Sequence, residues 1–415
     1  MTAASSSPAL SPDHGPSAQL PGIADRVRAT MLAAAVADAL TARLGSAQDP
    51  TAAAHDGAAQ DGDALTGAAY GGAAATAEGA AAATGTGTAA PQLEPLRISA
   101  DTQLALYTMD GLLESIEWAS AGESADETAC QWLAQLRWLR TQEVDWPESA
   151  PSPLPRWIDA HEVLHADHGH QGQTLEALRT GSMGLVERPV LPQAQDRTAV
   201  IRSIPYGLLP VGWRSIAPLS IDAAAITHGR PEAQTAATAL ALMIQAAQVE
   251  GSRGEQAPVR AAARAALEVL GRLTRPTRVT AEALEAVLDG RAPDTAADRA
   301  QDAEGGEDRA ASGHDPDGAA QARDTSSRAL AIGLRCALEA EQTGAPAPEL
   351  LGTAVAAAQR EQGSDPRGSA ALAAALIAAA HGSAVLEAQQ IGRLEAREVI
   401  EEACRRWVQL LGLTG

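Results

Sequence analysis

Phenylalanine is absent from the 415 residues of this chain, and so are lysine and asparagine. All three absences fit avoidance of A/T-rich codons, as in a very GC-rich genome. They still have chemical consequences. Without lysine there is no Walker A phosphate loop, no Schiff base and no lysine nucleophile. Without phenylalanine, and with aromatics at 2%, the core has to be built from Ala, Leu, Val and Ile. Cysteine is scarce as well. Cys130, Cys336 and Cys404 are far apart and odd in number. They fit neither a zinc knuckle nor a disulfide framework, so reduced thiols on helices in a cytoplasm are expected. Residues 1–22 are a polar Pro/Ser-rich tail with no basic region leading into an apolar run, so no signal peptide is read there. The longest apolar run, residues 370–380, is mostly alanine and too short to cross a bilayer. The expectation is a soluble cytoplasmic chain with no membrane partner.

Charge of one sign is also in short supply. Lys+Arg total 31 against 52 Asp+Glu, a formal charge of −21. Such a surface is poorly suited to neutralising phosphates, which argues against direct nucleic-acid binding.

Length alone allows two or three domains. Composition argues for fewer. Residues 46–93 are almost pure Ala, Gly, Thr and Asp, and residues 290–327 are acidic and Gly/Ala-rich. Neither segment carries the apolar side chains needed to offset the entropy of ordering a chain. One domain over residues 23–415, interrupted by these two insertions, is expected. The remainder reads helical. Apolar residues recur at helical spacing over 24–44, 104–118 and 132–138, and along a C-terminal stripe from Ala396 to Leu411. Pro231 and Glu232 open a segment that is apolar on nearly every side, which predicts a central buried helix. Trp118, Trp132, Trp138 and Trp407 are expected in the core. Alternating segments are scarce, and residues 198–204 are the best strand candidate. The fold class is all-α, a single large domain of orthogonal helices.

Residues 161–165 read His-Glu-Val-Leu-His. On a helix, His161 and His165 would share a face and could hold zinc while Glu162 activates water. The context opposes this. Pro151, Pro153 and Pro155 precede the motif, and Ala-Asp-His-Gly-His follows it. A short helical turn entering a loop is the expectation.

Four blocks occur in an order that carries a resemblance. Asp25-Arg-Val-Arg-Ala-Thr-Met-Leu runs on to Asp38-Ala-Leu. Ile98-Ser-Ala-Asp-Thr-Gln-Leu follows. Gly181-Ser-Met-Gly leads to Ile201-Arg-Ser-Ile-Pro-Tyr-Gly-Leu and then to Thr227-His-Gly-Arg-Pro. The stretch 363–382 and Leu394-Glu-Ala-Arg-Glu close the series. Together they resemble the ADP-ribosylglycohydrolase family, in particular its actinobacterial members. The resemblance implies an all-α fold and cleavage of the bond between ADP-ribose and a protein side chain or small molecule. The implied partner is ADP-ribose or an ADP-ribosylated target. It also implies two magnesium ions held by carboxylates and hydroxyls, which orient ribose hydroxyls and activate a water.

Residue by residue, the resemblance assigns Ser99, Asp101 and Asp365 as metal ligands, and Asp38 and His228 to the ligand pocket. It also shows departures. Ala100 stands where the first carboxylate of the S/T-D-D-T motif belongs, and Gly45 where a glutamate is expected after Asp38. With Asp365 as the first Asp of the closing D-x-D, Arg367 fills the second, and Gly368 or Ser369 falls where a Thr or Ser belongs. A shift of two residues would make Asp365 the second Asp instead. Residues 196–200, Asp-Arg-Thr-Ala-Val, replace a glycine-rich loop. A guanidinium at 367 opposes metal binding by like charge, or substitutes for a metal's charge by pairing with Asp101 or Asp365. At most one weakly bound magnesium is expected, and two readings follow: an ADP-ribosylglycohydrolase-like enzyme with a degraded metal site, or a non-catalytic ADP-ribose-binding or structural pseudo-enzyme of the same fold.

Overall fold

A computed structural model describes residues 22–48, 94–165, 168–169, 172–274, 277–293, 325–361 and 365–413. Among the described residues there are fourteen α-helices and no strand. They are α1 (Ile23–Gln48), α2 (Ala100–Ser120), α3 (Glu127–Arg140), α4 (Gly172–Arg179), α5 (Thr198–Ile201), α6 (Trp213–Ala225) and α7 (Pro231–Ser252). The second half holds α8 (Pro258–Leu270), α9 (Arg278–Leu288), α10 (Ser326–Gln342), α11 (Ala347–Arg360), α12 (Pro366–His381), α13 (Ala388–Arg393) and α14 (Arg397–Leu410).

Three helices make the centre. α7 is buried on every face from Glu232 to Glu250, as its all-round apolar sequence predicts, and Pro231 sits in its first turn. α12 is buried from Gly368 to Ala380 and packs along α1. α8, α10 and α11 enclose this centre on one side, and the α2–α3 pair and α14 lie on the other. The segment Pro366–Val385 is apolar and long enough to cross a membrane, longer than the run of residues 370–380 suggests. With 83% of it buried inside the bundle, it is the core helix of this fold.

A core of alanines requires helices to approach closely, and glycines mark the tightest approaches. A Cβ on Gly251 of α7 would lie 1.8 Å from the Ala380 carbonyl oxygen of α12. One on Gly333 of α10 would lie 2.6 Å from Leu372 Cβ. Two of the buried tryptophans satisfy their indole N–H groups. Trp138 is fully buried and donates from Nε1 to Gln103 Oε1 at 3.0 Å, and Trp407 is buried against the Leu208 carbonyl. Trp118 departs from expectation. It lies in the last turn of α2, where residues 117–120 are all exposed, and is itself 51% exposed. The three thiols are buried and unbonded to one another, and burial pushes each of them up, Cys336 and Cys404 to about 12.

Two sequence expectations need correction. Residues 198–204 form no strand. The Asp196 carboxylate accepts from Thr198 N at 3.0 Å and starts a helical turn, α5. The second low-complexity segment also ends sooner than composition suggests. Thr325 caps α10 by accepting from Arg328 N, so the Thr-Ser-Ser that reads as loop is a helix start. The tail and the bulk of both insertions lie outside the described residues.

Packing this tight predicts a contrast between two glycines. Gly251→Ala is expected to lower stability by about 1–3 kcal/mol, since α7 and α12 must separate to admit the methyl. Gly352→Ala, in α11 with open space around it, is expected to raise stability by up to about 1 kcal/mol through helix propensity. Denaturant titration of both variants checks the pair.

Candidate functional site

The end of α2, the middle of α1 and the start of α12 converge on one small acidic centre. Ser99 caps α2, with its hydroxyl accepting from Asp101 N at 3.2 Å. That cap fixes the first turn and sets Asp101 and Thr102 facing α1. Asp38, in the middle of α1, is buried. Its Oδ2 accepts from Ser99 N and Thr102 Oγ1, both at 2.7 Å. Asp365 caps α12 and accepts from Arg367 N at 2.8 Å through Oδ1, with Pro366 opening the helix.

Two guanidinium groups lie among these three carboxylates. Arg367 Nε donates to Asp38 Oδ1 at 2.8 Å. Arg197 Nε donates to Asp101 Oδ2 at 3.3 Å, and its Nη2 pairs with Asp365 Oδ2. Asp38 and Asp101 lie beneath. The side chains of Arg197, Arg367 and Asp365, at 19%, 28% and 28% exposed, form the face that meets solvent. The sequence reading has Arg367 paired with Asp101 or Asp365. In the structure its side chain reaches back to α1 and takes Asp38, because the first turn of α12 packs along that helix.

Arg197 is the residue that sequence reasoning missed. The signal was present in the unusual Asp-Arg that replaces a glycine-rich loop, but its partners are remote in the chain. Gly368 makes its position possible. A Cβ at 368 would sit 2.5 Å from Arg197 Cδ and 2.8 Å from Nε. A side chain at 368 and the Arg197 side chain in this position would therefore compete for one space.

The loop carrying Arg197 is tied on all sides through Asp196. Its carboxylate accepts from Thr198 N and Gln173 N, and from His228 Nε2 at 2.9 Å. Its carbonyl accepts from Ser326 Oγ. His228 is wholly buried, and its Nδ1 lies 2.8 Å from Thr227 Oγ1. An ionised Asp196 can only accept, so Nε2 carries the proton and Nδ1 accepts from the threonine. Burial holds the His228 ring below its usual range, in the neutral form. Burial alone would raise the Asp196 carboxyl, but the imidazole and the Thr198 donors hold it well below the usual range. His228 thus braces the loop from behind.

Other sequence-selected residues fall as follows. Ala100 is buried at the start of α2, and Ser369 is buried with its hydroxyl lacking a hydrogen-bond partner. Gly45 lies two turns beyond Asp38 within α1, and its surroundings fall outside the described residues. Arg202 is buried, and donates to the Ala223 and Ala224 carbonyls that end α6. Glu395, in the closing Leu-Glu-Ala-Arg block, accepts from Ile98 N at 2.9 Å and so positions the strap that leads to Ser99. The His-Glu-x-x-His segment forms a 3₁₀ turn over Glu162–His165, where residues four apart do not share a face. His165 Nε2 is engaged by the Asp159 carbonyl and His168 Nε2 by the Val163 carbonyl.

Residues 19–415 match the ADP-ribosylglycohydrolase family. The chain belongs to that family. No curated protein sequence matches it. ADP-ribosylglycohydrolases are generally metal-dependent and act on ADP-ribosylated substrates in general. The donor set in this member does not fit magnesium. Mg²⁺ needs oxygen ligands in octahedral array, a few of them carboxylates. Here each of the three converging carboxylates already accepts from a guanidinium, and a cation would meet two fixed positive charges. Among the described residues no group of three or more His, Cys, Asp or Glu side chains is placed to hold a metal.

The compensation is incomplete. Asp101 Oδ1 is buried with no hydrogen-bond partner. Burial pushes the Asp101 carboxyl up to about 7. Arg197 opposes the rise, and Asp38, Asp365 and Asp196 add to it. A folded pKa above the unfolded value of 3.8 means that the native state keeps a proton which the unfolded chain releases. This contribution to stability is full below about pH 4 and is lost as the pH rises to about 7. The thermal midpoint of the native chain is therefore expected to fall across that window. That of Asp101→Asn, which cannot ionise there, should fall less. Thermal melts of both proteins at several pH values measure the difference.

Proposed function

We propose that this chain is a non-hydrolysing member of the ADP-ribosylglycohydrolase family, a metal-independent receptor for ADP-ribose or an ADP-ribosylated target. One observation carries the reading. The carboxylates that would hold a metal and activate water are each paired with Arg197 or Arg367 instead. Metal-assisted hydrolysis depends on an ion that lowers the pKa of a bound water and stabilises developing charge. A guanidinium has no open coordination position and supplies neither. Hydrogen bonding and charge at the face made by Arg197, Arg367 and Asp365 remain available for binding.

The test is calorimetry with ADP-ribose in magnesium and again in EDTA, beside a release assay on ADP-ribosylated protein. Binding of equal affinity in both buffers, with no ADP-ribose released, is the expected result. Magnesium-dependent binding, magnesium-dependent release, or no binding in either buffer would overturn the proposal.

A further inference from the structure

We infer that Arg197 is a built-in substitute for a bridging divalent cation, and that Gly368 is the residue that admits it. The inference rests on the metal-independent reading above and goes on to say which side chain took the ion's place. Arg197 is the one of the two arginines whose side chain spans two carboxylates from separate elements, Asp101 of α2 and the Asp365 cap of α12. Arg367 makes its side-chain contact to Asp38 and its backbone contact to Asp365. Two carboxylates aimed at one centre of positive charge, from elements far apart in the chain, form the arrangement that a partly hydrated divalent ion takes.

Two further features seat the guanidinium there, and a third marks what it leaves unserved. Gly368 leaves the space through which its Cδ and Nε pass, and a Cβ at that position would push them from where they lie. The preceding residue, Asp196, is anchored by Gln173, Thr198, His228 and Ser326, so Arg197 starts from a fixed point. The buried Asp101 Oδ1 has no donor, although its partner oxygen is paired. A planar guanidinium leaves that lone pair unserved. An ion with a shell of waters would not.

Removing the guanidinium should therefore expose a cation site that the native chain keeps closed. Mn²⁺ and Mg²⁺ are titrated calorimetrically into the native chain, Arg197→Ala, Gly368→Ser and Arg197→Ala/Asp101→Asn. Thermal melts accompany each titration, with NaCl matched in ionic strength as the control. Gly368→Ser retains the arginine but displaces it, so it provides a second route should Arg197→Ala fail to fold. The native chain is expected to show no saturable uptake. Arg197→Ala and Gly368→Ser should bind one divalent ion at least about ten-fold more tightly than the native chain and melt higher with it, and the double variant should lose the gain. Folded variants that take up no more metal than the native chain would overturn this inference alone. Saturable uptake by the native chain would overturn this inference and the metal-independent reading together. Failure to bind ADP-ribose is seen only in the separate calorimetry, so the two ideas can fall independently.

Discussion

Three carboxylates on α1, α2 and the cap of α12 lie together where water is largely excluded, and something positive must lie among them. Unpaired buried carboxylates are among the most costly groups a fold can carry. Each local choice around this centre follows from that constraint. Asp38 uses one oxygen for the donors at the start of α2 and the other for Arg367, which ties the longest helix to the two elements beside it. Arg197 ties α2 to α12. The centre is thus a junction of the bundle as well as its acidic focus. Removing one partner here leaves a stranded charge, a far greater loss than breaking an ion pair at the surface.

The junction depends in turn on a scaffold that makes no contact with the carboxylates themselves. Asp196 gathers donors from α4, α5, the residues before α7 and the start of α10. Glu395 holds the strap before α2 from the far end of the chain. Arg202 closes the end of α6. Glu395 and Arg202 lie in the blocks that carry the family resemblance, and their work is to fix backbone. A chain can keep such blocks while its metal ligands change, because the two sets of residues answer to different demands.

This division explains what could be read in the sequence. The helices with a clear face or an all-round apolar run, α1, α2, α7 and α14, follow from side-chain spacing. The acidic residues at the centre follow from the family blocks. The pairings do not. Arg197 stands in a segment whose sequence shows only that a glycine-rich loop is missing, and its partners lie 96 residues before it and, at Asp365, far beyond it. Arg367 was legible as a cation in the wrong place, but its choice of Asp38 depends on how α12 lies along α1. Thr198 and its neighbours look like a strand because they are β-branched, until the Asp196 carboxylate turns them into a helix start. Trp118 has the spacing of a core residue, but the last turn of its helix is exposed. The two arginine pairings are contacts between distant segments, which periodicity cannot reach.

The absence of lysine bears on the chemistry that resulted. An ammonium is a compact point charge, whereas a guanidinium is a planar fork whose separate N–H groups can serve two carboxylates at once. Arg197 does this through Nε and Nη2. Yet two arginines bring only two positive charges to three carboxylates. The deficit has to appear somewhere, and it falls on the most enclosed carboxylate. Asp101 is left with one oxygen unserved, and its affinity for a proton rises towards neutrality. A proton is the smallest cation available to a buried acid, and the raised carboxyl favours taking one up beside the arginines. The raised carboxyl, the glycine at 368 and the bridging guanidinium are thus three consequences of one exchange, in which the protein's own side chains took over the charge that bound ions carry elsewhere in the family.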